Sequence, residues 1–243
     1  DLLMSLIAQT AWRQSADLAQ EKGCYESFKG SHWSKGILPC DTHNSLIRYR
    51  NGTYGTQFNT IEQKELRYPD LRDVVKKGMR NCTVLAIAPT ATIANIVGST
   101  PSIEPTYQNL YTKSNLSGEF TVINRYLVRA LKDRGLWNEK IISDLKFYNG
   151  ELSQIDEIPS DIKSIYRTSF DLDPIALVEQ AAGRQYWIDQ AQSLNLYVCN
   201  PSGKLLDSIY MAAWEQGLKS TYYLRTLSRS SVEKSTGNGG DLN

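Results

Sequence analysis

Hydrophobic and polar positions along this chain change period several times, and each change marks an element. Residues 2–22 keep helical spacing, with Leu3, Ile7 and Ala11 on one face and Gly23 as the stop. From Cys24 to about Thr60 the periodicity dissolves into turn chemistry, at Gly30-Ser31, Lys35-Gly36, Asn51-Gly52 and Tyr54-Gly55. Within that predicted loop, Ser34-Lys35-Gly36-Ile37-Leu38-Pro39 is a short apolar island. A long loop of this kind either has a job or is mobile surface, and the pattern does not choose between them. Pro69-Asp70 opens a brief helix with Asp73 near its positive end. Residues 84–88 then form a continuous apolar run, which predicts a strand buried on both faces. Pro89 ends that ladder because it has no N–H to donate. Thr90 and Thr92 follow as candidate caps of a short apolar helix carrying Ile93, Ile96 and Val97, which Gly98 terminates.

Beyond Gly98, two prolines hold Ser99-Thr100-Pro101-Ser102-Ile103-Glu104-Pro105 extended, and residues 106–123 are mixed and polar. Asn124 caps a predicted helix to Lys132 that closes at Gly135, and Asn138 caps another that ends at Asn149-Gly150. Ser160 begins a third. Asp173-Pro174 announces a longer helix to about Ala191, with Trp187 and Ile188 on its buried face. Leu194-Asn195-Leu196-Tyr197-Val198 reads as a strand, 204–216 as a helix stopped by Gly217, and 220–227 as a second strand. Together they predict a right-handed βαβ crossover with parallel strands. Residues 228–243 are polar and Gly/Ser-rich and read as a flexible tail, which leaves 1–227 as the folded unit.

Composition narrows the class. The 243 residues carry a net charge of +1, so no general field attracts nucleic acid or an acidic membrane. No apolar run approaches a membrane span, and the N-terminus lacks a signal-peptide layout. Cys24, Cys40, Cys82 and Cys199 are scattered, and His32 and His43 fall in the turn-rich loop. A zinc site is therefore not expected. The cysteines read as buried or partly buried small hydrophobes, the histidines as surface residues, and free thiols point to a cytoplasmic setting. The chain begins without methionine inside a helix, which suggests a piece of something longer.

Two places invite chemistry. A strand turning tightly into a helix leaves main-chain N–H groups unpaired, so 89–93 reads as a candidate anion site, although a plain capped helix explains it too. No Gly-rich Walker pattern is present. Glu104 lies close in sequence to that turn, and a Glu in a Pro-rich turn is ordinarily solvated. Tyr222 and Tyr223 are adjacent on a predicted strand, where regular pleating sends neighbours to opposite faces. Stacking their rings would require the backbone to depart from that pleat.

Several longer stretches carry a resemblance. They are Ala88-Pro89-Thr90-Ala91-Thr92-Ile93-Ala94-Asn95-Ile96, Ser102-Ile103-Glu104-Pro105-Thr106-Tyr107, Lys113-Ser114-Asn115-Leu116-Ser117-Gly118-Glu119-Phe120, Ile188-Asp189-Gln190-Ala191-Gln192-Ser193-Leu194-Asn195 and Gly217-Leu218-Lys219-Ser220-Thr221-Tyr222-Tyr223-Leu224-Arg225. In this order they resemble the C-terminal part of the large, catalytic subunit of class I ribonucleotide reductase. The resemblance implies an α/β fold, the C-terminal portion of a ten-stranded α/β barrel built from two parallel five-stranded halves. It implies radical reduction of ribonucleoside diphosphates to deoxyribonucleotides. Pro89, Thr90, Ala91, Thr92 and Ile93 would form the loop that holds the substrate diphosphate. At Ile93, where some relatives carry a hydroxyl residue, only the backbone could serve. Tyr222 and Tyr223 would form the radical relay, Tyr223 taking the hole from the partner and Tyr222 passing it inward.

The resemblance also implies partners: an N-terminal part of the large subunit, a small radical-generating subunit, and thioredoxin or glutaredoxin as reductant. No cofactor would be bound by this chain itself. The family's metal and radical sit in the small subunit, and its ATP and dNTP effectors bind the N-terminal part. No Asn-x-Cys-x-Glu pattern for the thiyl cysteine occurs here, and no cysteine pair occurs in the tail. The expectation is a reductase part active only with its complement, and the alternative is an inactive nucleotide-binding or assembly module.

Overall fold

A computed structural model describes residues 2–60, 66–115 and 118–227. The first helix, α1 (Leu2–Lys22), has the predicted length and ends at Gly23 in the left-handed region, φ 77°. Its buried face, however, is Ala8, Trp12, Ala16 and Ala19, whereas Leu3 and Ile7 are exposed. Trp12 sets that rotation. Its indole packs 6.0 Å from Trp33 and 6.2 Å from Trp187, and so large an apolar surface outweighs the smaller aliphatic stripe.

The predicted loop 24–60 is corrected by a sixteen-residue helix, α2 (Pro39–Tyr54). The sequence holds its boundaries in plain view. Pro39 occupies N1, where its missing N–H costs nothing, and the Asp41 carboxylate accepts from the Leu38 amide at 2.9 Å. Gly55 ends the helix at φ 68°. Asp41 is also gripped by both terminal nitrogens of Arg72, at 2.6 and 2.9 Å, which ties α2 to α3 (Leu71–Lys77). Burial on α2 overturns two side-chain expectations. His43 is buried edge-on against Tyr186 rather than at the surface, and its Nε2 donates to the Gln216 carbonyl at 3.2 Å. Among the cysteines Cys40 is buried, its thiol pushed up to about 11 by burial, and Cys199 is partly buried, but Cys24 and Cys82 are exposed.

Residues 84–88 do not form the predicted buried strand. They run extended and partly exposed, joined to the neighbouring segment by one parallel bridge, Ile87 to Gln192. The bonds there are Ile87 N to Ala191 O, Ser193 N to Ile87 O and Gln190 N to Leu85 O. The Asp189 carboxylate accepts from the amides of Val84 and Leu85 at 2.7 and 3.0 Å. That neighbour continues into β3 (Leu196–Val198), which pairs in parallel with β4 (Leu224–Thr226). The crossover between them is α9 (Gly203–Glu215), capped by Ser202 and followed by Gly217 at φ 82°. The predicted parallel pairing therefore holds, with strands shorter than expected. α8 (Pro174–Gln185), capped by Asp173, also stops short of Ala191. Trp187 and Ile188 are buried as predicted, but in the loop that follows α8. Val178, Ala181, Leu196, Val198, Ile209 and Ala213 form the core between these helices and the sheet.

Between α4 (Ala91–Val97) and α8 lies a unit that the polarity of 106–123 concealed. β1 (Leu110–Asn115) and β2 (Gly118–Ile123) pair antiparallel. Behind them α5 (Arg125–Asp133), α6 (Glu139–Phe147) and α7 (Ser160–Ile165) enclose Leu127, Leu131, Ile141, Leu145, Ile155 and Ile158. Asn124 and Asn138 cap α5 and α6 as predicted, each accepting from amides of the following turn. The tail predicted at 228–243 lies outside the described residues. Among those described, no helix is long and apolar enough to cross a membrane.

Two outcomes follow from this packing. Gly150 sits at φ 77°, and a Cβ there would come within 2.3 Å of the Leu110 amide nitrogen. Gly150→Ala should therefore cost roughly 1–3 kcal/mol or more, read as a lowered urea midpoint. Burial holds the His43 imidazole below its ordinary pKa, so the unfolded chain takes up the proton more readily than the folded one. Its contribution is present above about pH 6.5 and is lost as pH falls from there through the depressed folded value. A urea midpoint measured against pH should drop across that window, and His43→Gln should flatten the drop.

Candidate functional site

The site is built where the extended segment 84–88 ends. Pro89 and the start of α4, the turn 98–102, the hairpin, α5 and the β3–β4 edge enclose one cleft of ≈ 590 Å³. Pro89, Ala91 and Asn95 line one side, and Tyr222, Tyr223 and Arg225 line another. Of the residues singled out in the sequence, the structure thus brings Pro89, Ala91, Tyr222 and Tyr223 into one cavity. Thr90, Thr92 and Ile93 are exposed and are not among its lining.

Thr90 stands at the N-cap of α4, but not as a side-chain cap. It adopts φ 51°, ψ 22°, a left-handed conformation that a β-branched residue rarely takes. Its hydroxyl instead accepts from the Ser102 amide at 3.2 Å, and the same amide donates to the Pro89 carbonyl at 3.0 Å. Thr92 lies inside the helix. The apolar residues of α4 face outward, Ile93 63% and Ile96 80% exposed, and only Ala94 is buried. The first amides of any such helix lack intrahelical partners, so main-chain donors are available beside Pro89 whichever way the side chains point.

Glu104 overturns its expected solvation. It is 7% exposed, and its carboxylate accepts from the Asn195 main-chain amide at 3.2 Å and from Asn195 Nδ2 at 3.1 Å. The guanidinium of Arg184 is its nearby counter-charge, which partly offsets the burial that lowers that group. The side-chain oxygen of Asn195 is buried with no hydrogen-bond partner among the described residues, and Asn195 itself lines the cleft.

Tyr222 and Tyr223 precede β4 rather than sitting inside it. Tyr222 N donates to Leu194 O at 2.7 Å, and Leu196 N donates to Tyr223 O at 2.8 Å. In this irregular stretch the rings do meet, with centroids 4.1 Å apart and planes at 50°. The Tyr222 phenol is raised above the ordinary tyrosine value, first because it hydrogen-bonds Tyr223. Arg225 lies over the Tyr223 ring, 5.4 Å from its centroid.

Further lining residues carried no local signal in the sequence. Tyr107 and Tyr111 contact at 5.0 Å, and burial, then Tyr111, pushes the Tyr107 phenol up to about 12. Tyr197 is raised by burial and by Glu104, against the opposing pull of Arg225. Arg125 supplies a second guanidinium, over the ring of Tyr126. The cleft therefore combines two cations and two pairs of contacting phenols, with main-chain donors beside Pro89 at its edge, a chemistry suited to an anionic ligand and to redox at phenol oxygens.

Comparison with known proteins identifies the family of the chain. A family model described as the ribonucleotide reductase barrel domain matches residues 1–224. The chain belongs to the ribonucleotide reductase large-subunit family. It is similar to the ribonucleoside-diphosphate reductase subunit alpha of Chlamydia trachomatis, 49% identical over 97% of this chain and 22% of the relative. The large subunit of Plasmodium falciparum is 38% identical over 93% of this chain and 27% of its own length. The solved alpha subunit of the Actinobacillus ureae class Id ribonucleotide reductase aligns with a TM-score of 0.56 at 25% identity, covering 81% of this chain and 37% of that one. The chain thus corresponds to part of the reductase barrel and spans about a fifth to a quarter of the curated relatives it matches. The α/β barrel portion expected from the resemblance is the fold these matches identify, and the short parallel sheet at the cleft is its local expression.

The phenol pair gives a direct check on this geometry. In Tyr223→Phe the hydrogen bond that raises Tyr222 is gone, so the Tyr222 phenol should titrate lower, toward the ordinary value of about 10. Fluorine NMR of 3-fluorotyrosine-labelled protein against pH reads that change. An unmoved titration would mean that the two phenols do not touch in solution.

Proposed function

We propose that this chain serves as the part of a ribonucleoside-diphosphate reductase large subunit that holds the substrate diphosphate and relays the radical. One observation carries the reading: in a chain that belongs to the reductase family, Tyr222 and Tyr223 touch at 4.1 Å and share a cleft with Pro89 and Ala91. The main-chain amides at the start of α4, with the hydroxyls of Thr90 and Thr92, hold the two phosphates. Ile93 contributes through its backbone alone. The left-handed strain at Thr90 fits a turn shaped for a ligand rather than for helix stability.

The relay moves hydrogen atoms. An oxidant supplied by the small subunit removes an electron and a proton from the Tyr223 phenol. Tyr222 then gives its hydroxyl hydrogen to the Tyr223 oxygen, across the hydrogen bond that couples the two. Tyr222 in turn takes hydrogen from a cysteine thiol of the complementary part of the large subunit. Each step leaves a neutral phenol behind and a neutral radical ahead, so no charge is stranded in the cleft. Arg225 over the Tyr223 ring raises the cost of a positive charge there and favours this coupled transfer over bare electron loss. Reductant for the active-site thiols comes from thioredoxin or glutaredoxin. An inactive nucleotide-binding module would have no use for the coupled phenols.

The test mixes the chain with its large-subunit complement and the small subunit and follows reduction of a ribonucleoside diphosphate. Tyr222→Phe keeps the ring but has no hydroxyl hydrogen, so turnover should vanish while ADP binding stays. Thr92→Ala should weaken ADP binding by roughly tenfold, the worth of one hydrogen bond to a charged acceptor. Turnover surviving Tyr222→Phe removes the relay, and unchanged binding in Thr92→Ala removes that hydroxyl from the cradle.

A further inference from the structure

We propose that Glu104 is a positioning residue that replaces the missing end of a strand and so couples the diphosphate turn to the tyrosine pair. This rests on the functional reading above for the roles of 89–93 and of Tyr222 and Tyr223. The argument begins with hydrogen-bond bookkeeping along one strand edge. On the side of 190–196 that faces 84–88, Ala191 O accepts from Ile87 N and Ser193 N donates to Ile87 O. A parallel ladder continued in that register would carry the next donor, Asn195 N, to the carbonyl of residue 89. Pro89 breaks the ladder, and its carbonyl accepts from Ser102 N instead. The Asn195 amide is buried and must find another acceptor.

Glu104 Oε1 is that acceptor, at 3.2 Å, while Oε2 takes Asn195 Nδ2 at 3.1 Å. A carboxylate accepts both at once, with one oxygen for each donor. The opposite edge of the same strand holds the tyrosines, through Leu194 O to Tyr222 N and Leu196 N to Tyr223 O. Asn195 is the residue between those two anchors. At the other end, Ser102 stands two residues before Glu104 and is bonded to both Pro89 and Thr90. A short run of contacts thus leads from the diphosphate turn through Ser102, Glu104 and Asn195 to the tyrosine backbone. Every link is a hydrogen bond or at most two peptide units. A displacement of the turn on ligand binding has a stiff route to the phenols, and the phenols are held at a fixed distance from the turn.

The test uses the 243-residue chain, with Glu104→Gln, Asn195→Asp and the exchanged pair Glu104→Gln/Asn195→Asp. In Glu104→Gln a charged acceptor is lost, and an Asn195 side chain that turns over to accept from the new amide leaves its own Nδ2 in the buried position where Oδ1 has no partner. In the exchanged pair the side-chain bond is restored with its direction reversed, and the substituted glutamine keeps an oxygen for the residue-195 main-chain amide. Amide hydrogen exchange is followed by mass spectrometry over 89–105, 192–198 and 220–227, with α5 and α6 as internal reference. Glu104→Gln should speed exchange about tenfold in all three segments and leave the reference unchanged, and the exchanged pair should recover most of that loss. Asn195→Asp alone sets two carboxylates face to face and should speed exchange in the same three segments. Fluorine NMR of labelled Tyr222 and Tyr223 should move in Glu104→Gln and return in the exchanged pair. Faster exchange confined to 100–105, an equal rise in the reference helices, or no recovery in the exchanged pair would overturn the proposal. Calorimetric titration with ADP separates it from the reading beneath. An unmutated chain that fails to bind ADP when mixed with its large-subunit complement removes the diphosphate assignment, while the exchange pattern still decides whether Glu104 joins the two segments.

Discussion

A buried backbone donor must have an acceptor, and a proline at the end of a strand takes one away. At Pro89 the extended segment 84–88 leaves its neighbour, and the Asn195 amide passes to the carboxylate of Glu104. Much of the cleft geometry follows from that exchange. Because the chain departs there, α4 can start with its amides beside the cavity. Because Glu104 must come back to the strand, the turn 98–105 closes over the cleft, pinned at Ser102 to Pro89 and Thr90. Carboxylates do the same work at the other end of the segment, where Asp189 holds the amides of Val84 and Leu85. The segment is therefore fastened at its start by the Asp189 side chain, along its middle by ladder bonds, and at Pro89 by a main-chain bond from Ser102.

The two packing centres nearest that stave have different jobs. The cluster around Trp12, Trp33 and Trp187 anchors α1, α3 and the loop after α8, and so fixes where residues 187–190 emerge. The cluster between α8, α9 and β3 fixes the strand that carries Asn195. Buried aromatic area supplies rigidity in the first, and close-packed aliphatic and small side chains supply it in the second. The hairpin and helices 110–165 form a separate core that delivers Tyr107, Tyr111, Arg125 and Tyr126 to the far wall. A site assembled from elements with independent cores keeps its geometry when any one loop varies.

The pairing of phenols in the cleft follows from an irregular stretch of backbone. Tyr222 and Tyr223 share a hydrogen bond and a ring contact only because the backbone before β4 is irregular. On an ideally pleated strand the two would stand on opposite faces. Arg225, one turn of the pleat further along, returns over the Tyr223 ring and also reaches Tyr197 across the β3–β4 pair. A cation, paired phenols and main-chain donors in one cavity form a combination that no single stretch of chain could assemble.

What the sequence determined by itself is what depends on near neighbours. Caps at Asn124, Asn138 and Asp173, stops at Gly23, Gly98 and Gly217, and the parallel crossover ending in Tyr222-Tyr223 all follow from local chemistry, and family membership follows from ordered motifs. Helix α2 was legible too, in Pro39, Asp41 and Gly55, but the Gly pairs around it read as turns. Tertiary structure alone decided which face of α1 is buried, since Trp12 finds its partners 21 and 175 residues away. It likewise decided that 84–88 is half-exposed, that His43 is buried and that Glu104 is a strut instead of a solvated turn residue. Burial is a property of what else arrives at a place, and a linear pattern records only what each residue offers.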